Sequence, residues 1–270
     1  MNNELVTANL RDAVIALAKR AGVAIMEVYS GDFDVALKGD ASPLTSADLR
    51  ANEIIIAGLQ SLAPQWPVLS EESAEIPFVE RSQWHTYWLV DPLDGTKEFV
   101  SRNGEFTVNI ALMHEHVPVL GVVYVPATAT LYVGARVFGA HKQVGDGTLI
   151  SIHPSIPAHS PIRVVGSRSH RGALLDAYLA RLASHEIVSM GSSLKFCLIA
   201  EGKADLYPRL GPTSEWDTAA AQGVVEAAGG VVVTLDGAPL RYNTKADILN
   251  PHFFVYADRT KDWLAATRAL

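Results

Sequence analysis

The chain has 270 residues, 49% of them hydrophobic and 19% charged, an ordinary globular balance with room for one large domain or two closely packed halves. Its net charge of −7 argues against nonspecific nucleic-acid binding, but an anionic substrate can still bind where metals and a few local cations dominate a site. The single cysteine, Cys197, excludes an internal disulfide and, in an apolar stretch, reads as a buried structural thiol and not a nucleophile.

Residues 7–29 place Leu10, Val14, Leu17, Ala18, Ala21, Ile25 and Val28 at spacings of three and four, which predicts an amphipathic helix. A second helix is expected over residues 47–62, with Thr45 or Ser46 as its cap and Asp48 in its first turn. Residues 68–70 form a short strand that delivers Glu71 and Glu72. Tyr87 to Val90 is the apolar run of a buried strand, and it ends on Asp91. Residues 106–113, 117–125 and 130–137 read as successive antiparallel strands separated by turns. The proline-rich residues 152–161 read as a hinge between two halves, 1–155 and 156–270. The second half alternates strands at 162–165, 186–189, 204–207, 231–234 and 253–257 with helices at 172–182, 193–201 and 216–228, the pattern of an α/β unit.

The most informative run is Trp88-Leu-Val-Asp91-Pro-Leu-Asp94-Gly95-Thr96-Lys97-Glu98-Phe99. Its two acids lie at the end of a strand, where α/β proteins place their chemistry. They repel each other unless a cation sits between them, and hard cations such as Mg²⁺ prefer oxygen ligands. Gly95-Thr96 then opens a helix whose free amides can receive a phosphate. Ser70-Glu71-Glu72-Ser73 alone reads as a solvated pair of acids, but it follows one strand and precedes the Asp91 motif. Glu215-Trp216-Asp217-Thr218 places an acid at the start of a helix of small residues, which serves packing or a site equally. Asp48 by itself is an ordinary first-turn acid.

In this order, Glu71-Glu72, Asp91-Pro-Leu-Asp94-Gly95-Thr96 and Trp216-Asp217 resemble the inositol monophosphatase superfamily of Mg²⁺-dependent, lithium-sensitive phosphatases. The interval from residue 71 to residue 91 matches as well, and the resemblance covers nearly the whole chain from Asp48 onward. Lys97-Glu98 stands where inositol monophosphatases usually carry Thr-Asn. With Arg102-Asn-Gly-Glu105-Phe106, Ser167-Arg168-Ser-His170, Gly191-Ser192-Ser193-Leu-Lys195-Phe-Cys197 and Tyr207-Pro-Arg209-Leu-Gly-Pro-Thr213, it is similar to the bacterial 3′(2′),5′-bisphosphate nucleotidase branch. Leu210 and Glu215 depart from that pattern, which touches the shape of the substrate loop.

The resemblance implies an α/β fold layered as an αβαβα sandwich, with a mixed, mostly antiparallel sheet in the first half. It implies hydrolysis of the 3′-phosphate of adenosine 3′,5′-bisphosphate, a by-product of sulfate assimilation, with inositol- or sugar-phosphate hydrolysis as the alternative. Glu71, Asp91 and the Leu93 carbonyl would hold one Mg²⁺, and Asp91, Asp94 and Asp217 a second. A third, weaker ion would sit near Glu71 with Asp48 close by. Glu71 and Thr96 would activate water, with Asp48 supporting Thr96, and the Gly95 and Thr96 amides would receive the scissile phosphate. Ser192, Lys195 and Arg209 would contact the other phosphate, with His170 near the nucleotide. The expected partner is a small nucleotide bisphosphate, with no nucleic acid and no membrane span, in a monomer or homodimer. The N-terminal residues lack a basic-then-apolar signal pattern, so the expected location is cytoplasmic, with peripheral association with the inner membrane left open.

Overall fold

The computed structural model describes residues 5–32, 35–37, 43–73, 76–166, 172–182 and 184–269. Helix α1 (Ala8–Tyr29) starts at Thr7, whose hydroxyl accepts the Leu10 amide at 3.1 Å. A short antiparallel hairpin, β1 (Val35–Leu37) and β2 (Pro43–Thr45), leads into α2 (Ser46–Leu62). Thr45 caps α2 through a reciprocal arrangement in which Asp48 accepts the Thr45 amide at 2.8 Å.

Seven strands form the first sheet in chain order. They are β3 (Val68–Ser70), β4 (Thr86–Asp94), β5 (Thr107–His114), β6 (Val117–Val125), β7 (Thr130–Ala135), β8 (Gly139–Val144) and β9 (Ile150–Ser151). Only β3 and β4 run parallel, joined by a crossover through the short helix α3 (Phe78–Arg81). A parallel pair brings both C-terminal ends to one edge. Ser70 pairs with Val90, so Glu71 and Asp91 emerge there side by side. Helix α4 (Thr96–Val100) follows β4 at once.

The second sheet contains β10 (Ile162–Gly166), β11 (His185–Ser189), β12 (Leu206–Arg209), β13 (Val231–Thr234) and β14 (Phe253–Tyr256), in the order β11-β10-β12-β14-β13. β10 pairs in parallel with β11 and β12, whereas β14 is antiparallel to β12 and β13. Its helices are α5 (Ala173–Leu179), α6 (Leu194–Ala200) and α7 (Ala219–Ala228).

Strand alternation sorts the side chains into three cores. Trp88 and Val90 point to one face of the first sheet, where Leu17, Ile25, Ile55 and Leu59 of α1 and α2 cover them. Tyr87 and Leu89 point to the other face and share a core with Phe196 and Cys197 of α6, Val224 and Val225 of α7, and Tyr207 and Phe253 of the second sheet. The outer face of that sheet packs Val164, Leu206 and Phe254 against Leu175 and Tyr178 of α5. The result is the expected layering of helix, sheet, helix, sheet and helix. At Gly121 a β-carbon would fall 1.9 Å from the Ala220 carbonyl oxygen, so α7 lies against β6 only because that position has no side chain. No helix among the described residues is long and apolar enough to cross a membrane.

Helices α5, α6 and α7 are shorter than expected at their ends. α7 begins at Ala219 and not at residue 216, because Asp217 accepts the Ser214 amide and holds residues 214–217 in a turn. The hairpin of β1 and β2, the strand β8 and the helix α3 were not anticipated from periodicity; the hairpin strands and α3 are too short to show a clear one, and β8 carries the consecutive polar residues His141, Lys142 and Gln143.

Candidate active site

Four acids converge at the C-terminal edge of β3 and β4. One carboxylate oxygen each from Glu71, Asp91 and Asp217 lies within 4.8 Å of the others. Asp91 leaves the strand where its register against β5 shifts, between Asp91 and Asp94, and its Oδ1 accepts the Leu93 amide at 3.0 Å. That irregularity turns the chain, so both acids of the motif reach one cleft. Asp94 lines the cleft beside Asp217. Its Oδ2 accepts the Ser193 amide at 2.6 Å.

Burial, followed by the charges of Glu71, Asp94 and Asp217, pushes the Asp91 carboxyl well above the usual carboxylate range. Burial and then Asp217 push Asp94 up to about 7, with Lys195 and the Ser193 amide opposing. Asp217 is likewise raised by burial, although the Thr213 hydroxyl at 2.8 Å and the Ser214 amide at 3.0 Å pull it down. A buried group of hard oxygen donors that disfavour one another as anions fits a divalent cation of the Mg²⁺ type.

Next to the acids, Gly95 adopts φ +89°, a left-handed conformation that glycine enters freely, and so turns β4 into α4. Thr96 is the first residue of that helix. Its hydroxyl lies 3.2 Å from Asp48 Oδ1 and 3.3 Å from the Leu93 carbonyl. Asp48 uses its other oxygen to accept the Thr45 amide and hydroxyl at 2.8 and 2.7 Å. The N-terminus of α2 is therefore tied to the first turn of α4 through one buried acid.

The same cleft also holds two cations. Lys195 is only 7% exposed, and its Nζ donates to the Ser192 carbonyl at 2.6 Å while lying 5.8 Å from the centre of the Tyr207 ring. Arg209, at the end of β12, donates through Nη2 to the Pro212 carbonyl. Its buried Nε has no hydrogen-bond acceptor among the described residues. Both cations line the same cleft as Asp94 and Asp217, and their charges pull the Asp217 carboxyl down against its burial. Ser192 lines the same cleft.

The structure thus brings together Asp48, Glu71, Asp91, Leu93, Asp94, Gly95, Thr96, Ser192, Lys195, Arg209 and Asp217. His170, with Ser167 and Arg168, lies outside the described residues. Sequence reasoning assigned no role to the polar residues that hold the acids. Thr107 and Asn109 of β5 are buried, and each lies 3.5 Å from Asp94 Oδ2. Ser193 Oγ donates to Asn109 Oδ1 at 2.9 Å and sits 2.9 Å from Thr107 Oγ1. The signal was present: two polar residues two positions apart on one face of an otherwise apolar strand.

Known proteins resemble the chain in sequence and fold. The model of the inositol monophosphatase family matches residues 7–269. The 3′(2′),5′-bisphosphate nucleotidases CysQ of Shigella flexneri and Escherichia coli K12 are each 50% identical over 246 residues, covering 90% of this chain and 98% of the relative. The crystal structure of CysQ from Bacteroides thetaiotaomicron aligns with a TM-score of 0.82 at 43% identity, over 95% of this chain and all of that one. An inositol monophosphatase of Thermotoga maritima shares the fold at 20% identity with a TM-score of 0.77, over 96% of each chain. The carboxylate-lined cleft between two sheets is therefore set in a known frame: the chain belongs to the inositol monophosphatase family.

Proposed function

We propose that the chain is a magnesium-dependent 3′(2′),5′-bisphosphate nucleotidase that hydrolyses the 3′-phosphate of adenosine 3′,5′-bisphosphate to AMP and phosphate. One observation carries the reading: the cleft is lined by the acids Asp94 and Asp217 together with the cations Lys195 and Arg209. A single phosphate held by metals needs no further cations, whereas a second phosphate needs its own, and a guanidinium can engage it with two hydrogen bonds. Relatives that carry this name, 50% identical over 90% of the chain, support the same choice.

In this reading residues 1–155 supply most of the metal-binding half, and residues 156–270 complete it with Asp217 and hold the nucleotide. Glu71, Asp91, the Leu93 carbonyl, Asp94 and Asp217 would hold two Mg²⁺, with Asp91 shared, and a third, weaker ion would sit near Glu71. Bound there, magnesium supplies positive charge that lowers the pKa of water and offsets charge on the phosphoryl oxygens.

The chain's own residues orient the reaction. Thr96 Oγ1 donates to Asp48 Oδ1, which leaves its lone pairs to accept a hydrogen bond from the attacking water. Glu71 accepts the other proton of that water. The Gly95 and Thr96 amides receive the scissile phosphate, Ser192, Lys195 and Arg209 hold the remaining one, and His170 lies near the nucleotide.

A phosphate-release panel tests the proposal. Adenosine 3′,5′-bisphosphate should exceed inositol 1-phosphate in kcat/KM, and the reverse order would overturn the assignment. Arg209→Ala should raise KM for the bisphosphate while sparing small monophosphates; equal losses on both would point to a general sugar- or inositol-phosphate phosphatase.

A further inference from the structure

Ser192 adopts φ +44°, the left-handed region, next to Gly191, in a turn that lines the substrate cleft. A residue with a β-carbon is disfavoured there, and such a conformation persists only when its surroundings dictate it. Three hydrogen bonds do so. Lys195 Nζ binds the Ser192 carbonyl, and the Ser193 amide donates to Asp94, each at 2.6 Å. On the other side the Gly191 amide donates to Glu105 Oε2 at 2.7 Å.

Glu105 comes from the other half of the chain, on the loop that enters β5, and its own amide is fixed by Asn103 Oδ1 at 2.8 Å. Its backbone also packs against both turns of the cleft. The Glu105 carbonyl oxygen would lie 3.1 Å from a β-carbon at Gly95 and 3.0 Å from one at Gly191. Glu105 therefore lies against both the turn assigned to the scissile phosphate and the turn that presents Ser192, at the point where the two meet: a β-carbon at Gly95 would lie 3.3 Å from that of Ser192. A substrate with one phosphate needs the first turn alone, whereas a substrate with two needs both at a set separation.

We infer that Glu105 is a positioning residue for substrate specificity: through the Gly191 amide it holds the Ser192 turn at the distance a bisphosphate requires from Gly95. The inference rests on the reading of Ser192, Lys195 and Arg209 as contacts of the second phosphate. Glu105 touches no reacting atom and leaves the chemistry of a monophosphate unaffected.

The test compares adenosine 3′,5′-bisphosphate with adenosine 3′-monophosphate, which differ only in the second phosphate, on Glu105→Ala, Glu105→Gln and Arg209→Ala. Glu105→Ala should raise KM for the bisphosphate about tenfold with kcat near that of the parent, the loss expected for one charge-assisted hydrogen bond. It should leave kcat/KM for the 3′-monophosphate within about twofold. Glu105→Gln retains an oxygen that accepts the Gly191 amide and should restore most of the bisphosphate affinity. Equal losses on both substrates, or an unchanged KM for the bisphosphate, would overturn the inference. If Arg209→Ala alone separates the two substrates, the second-phosphate reading stands and the role of Glu105 falls. If no variant separates them, both fall. Melting curves of the three variants show whether each is folded, and a folded Glu105→Gln keeps the comparison decisive should Glu105→Ala not fold.

Discussion

Asp91 and Asp205 are the same side chain, both almost fully buried, in two regions of one molecule. Asp205, just before the central strand β12 of the second sheet, has partners of its own. Arg163 grips it with Nε at 3.0 Å and Nη2 at 2.9 Å, the Arg163 amide adds a bond at 2.9 Å, and His159 approaches to 3.1 Å. Burial pushes its carboxyl up, but these bonds outweigh it and hold the group down at about 2. Asp91 meets other acids instead, and burial with their charges drives it the opposite way. A buried carboxylate that brings its own cation is a structural fastening. A group of buried carboxylates held close without a matching set of basic side chains is a place reserved for a cation from outside.

The largest effect that tests this contrast comes from the acids. Asp91→Asn or Glu71→Gln should lower kcat on the order of a thousandfold or more, measured at saturating Mg²⁺. In EDTA, however, Asp91→Asn should melt at or above the temperature of the parent, because it removes one of several repelling charges. A marked loss of Tm in EDTA would break the comparison. Thr96→Ala should also cut kcat, by roughly a hundredfold, with an unchanged Tm. A near-parental rate would remove Thr96 from water activation.

The next effect is the mirror image. Asp205→Asn should lower Tm by roughly 6–15 °C, since breaking a buried ion pair strands the Arg163 charge. Its activity and Mg²⁺ dependence should stay within about twofold of the parent at temperatures well below the transition. Calorimetry and a Mg²⁺ titration check the two halves of that statement, and a shifted Mg²⁺ requirement would show that the two regions are not separate.

A smaller difference is expected from metal addition. Mg²⁺ at about a hundred times its dissociation constant should raise the Tm of the parent by several degrees, on the order of 5–10 °C, by binding the folded state alone. Asp91→Asn should lose most of that gain. An equal gain in both would place the bound ion elsewhere.

The smallest effect concerns acid. The folded pKa of Asp205 lies below the ordinary carboxylate value, so its contribution is complete above about pH 4 and is lost as pH falls through about 2. Between pH 4 and 2 the melting temperature of the parent should fall more steeply than that of Asp205→Asn. Parallel curves would mean that Arg163 does not hold Asp205.

The central motif was legible because it is contiguous. An apolar run, two acids and a glycine predict a strand, a bend and a helix start, and the backbone does follow that path from Tyr87 through Gly95 to Thr96. Asp48 was legible as a first-turn acid of α2 for the same local reason. Asp217 was seen as an acid at a helix start, but its carboxylate folds back onto Thr213 and Ser214 and delays α7 to Ala219. A side chain that competes for the backbone of its neighbours carries no periodic signal. Thr107 and Asn109 broke the apolar pattern of β5, yet nothing local said that they face Asp94.

What the sequence determined by itself was therefore short-range: the elements with clear periodicity, the caps, and the chemical character of each motif. The tertiary structure decided which motifs meet. The parallel register of Ser70 with Val90 sets Glu71 beside Asp91, across a crossover of fifteen residues, 71–85, whose geometry no local pattern reports. The meeting of Asp94 with the Ser193 amide spans 99 positions, and that of Glu105 with Gly191 spans 86. Contacts of that range form because the apolar faces of α6 and α7 must be buried between the two sheets, which brings the polar ends of both halves into the same cleft.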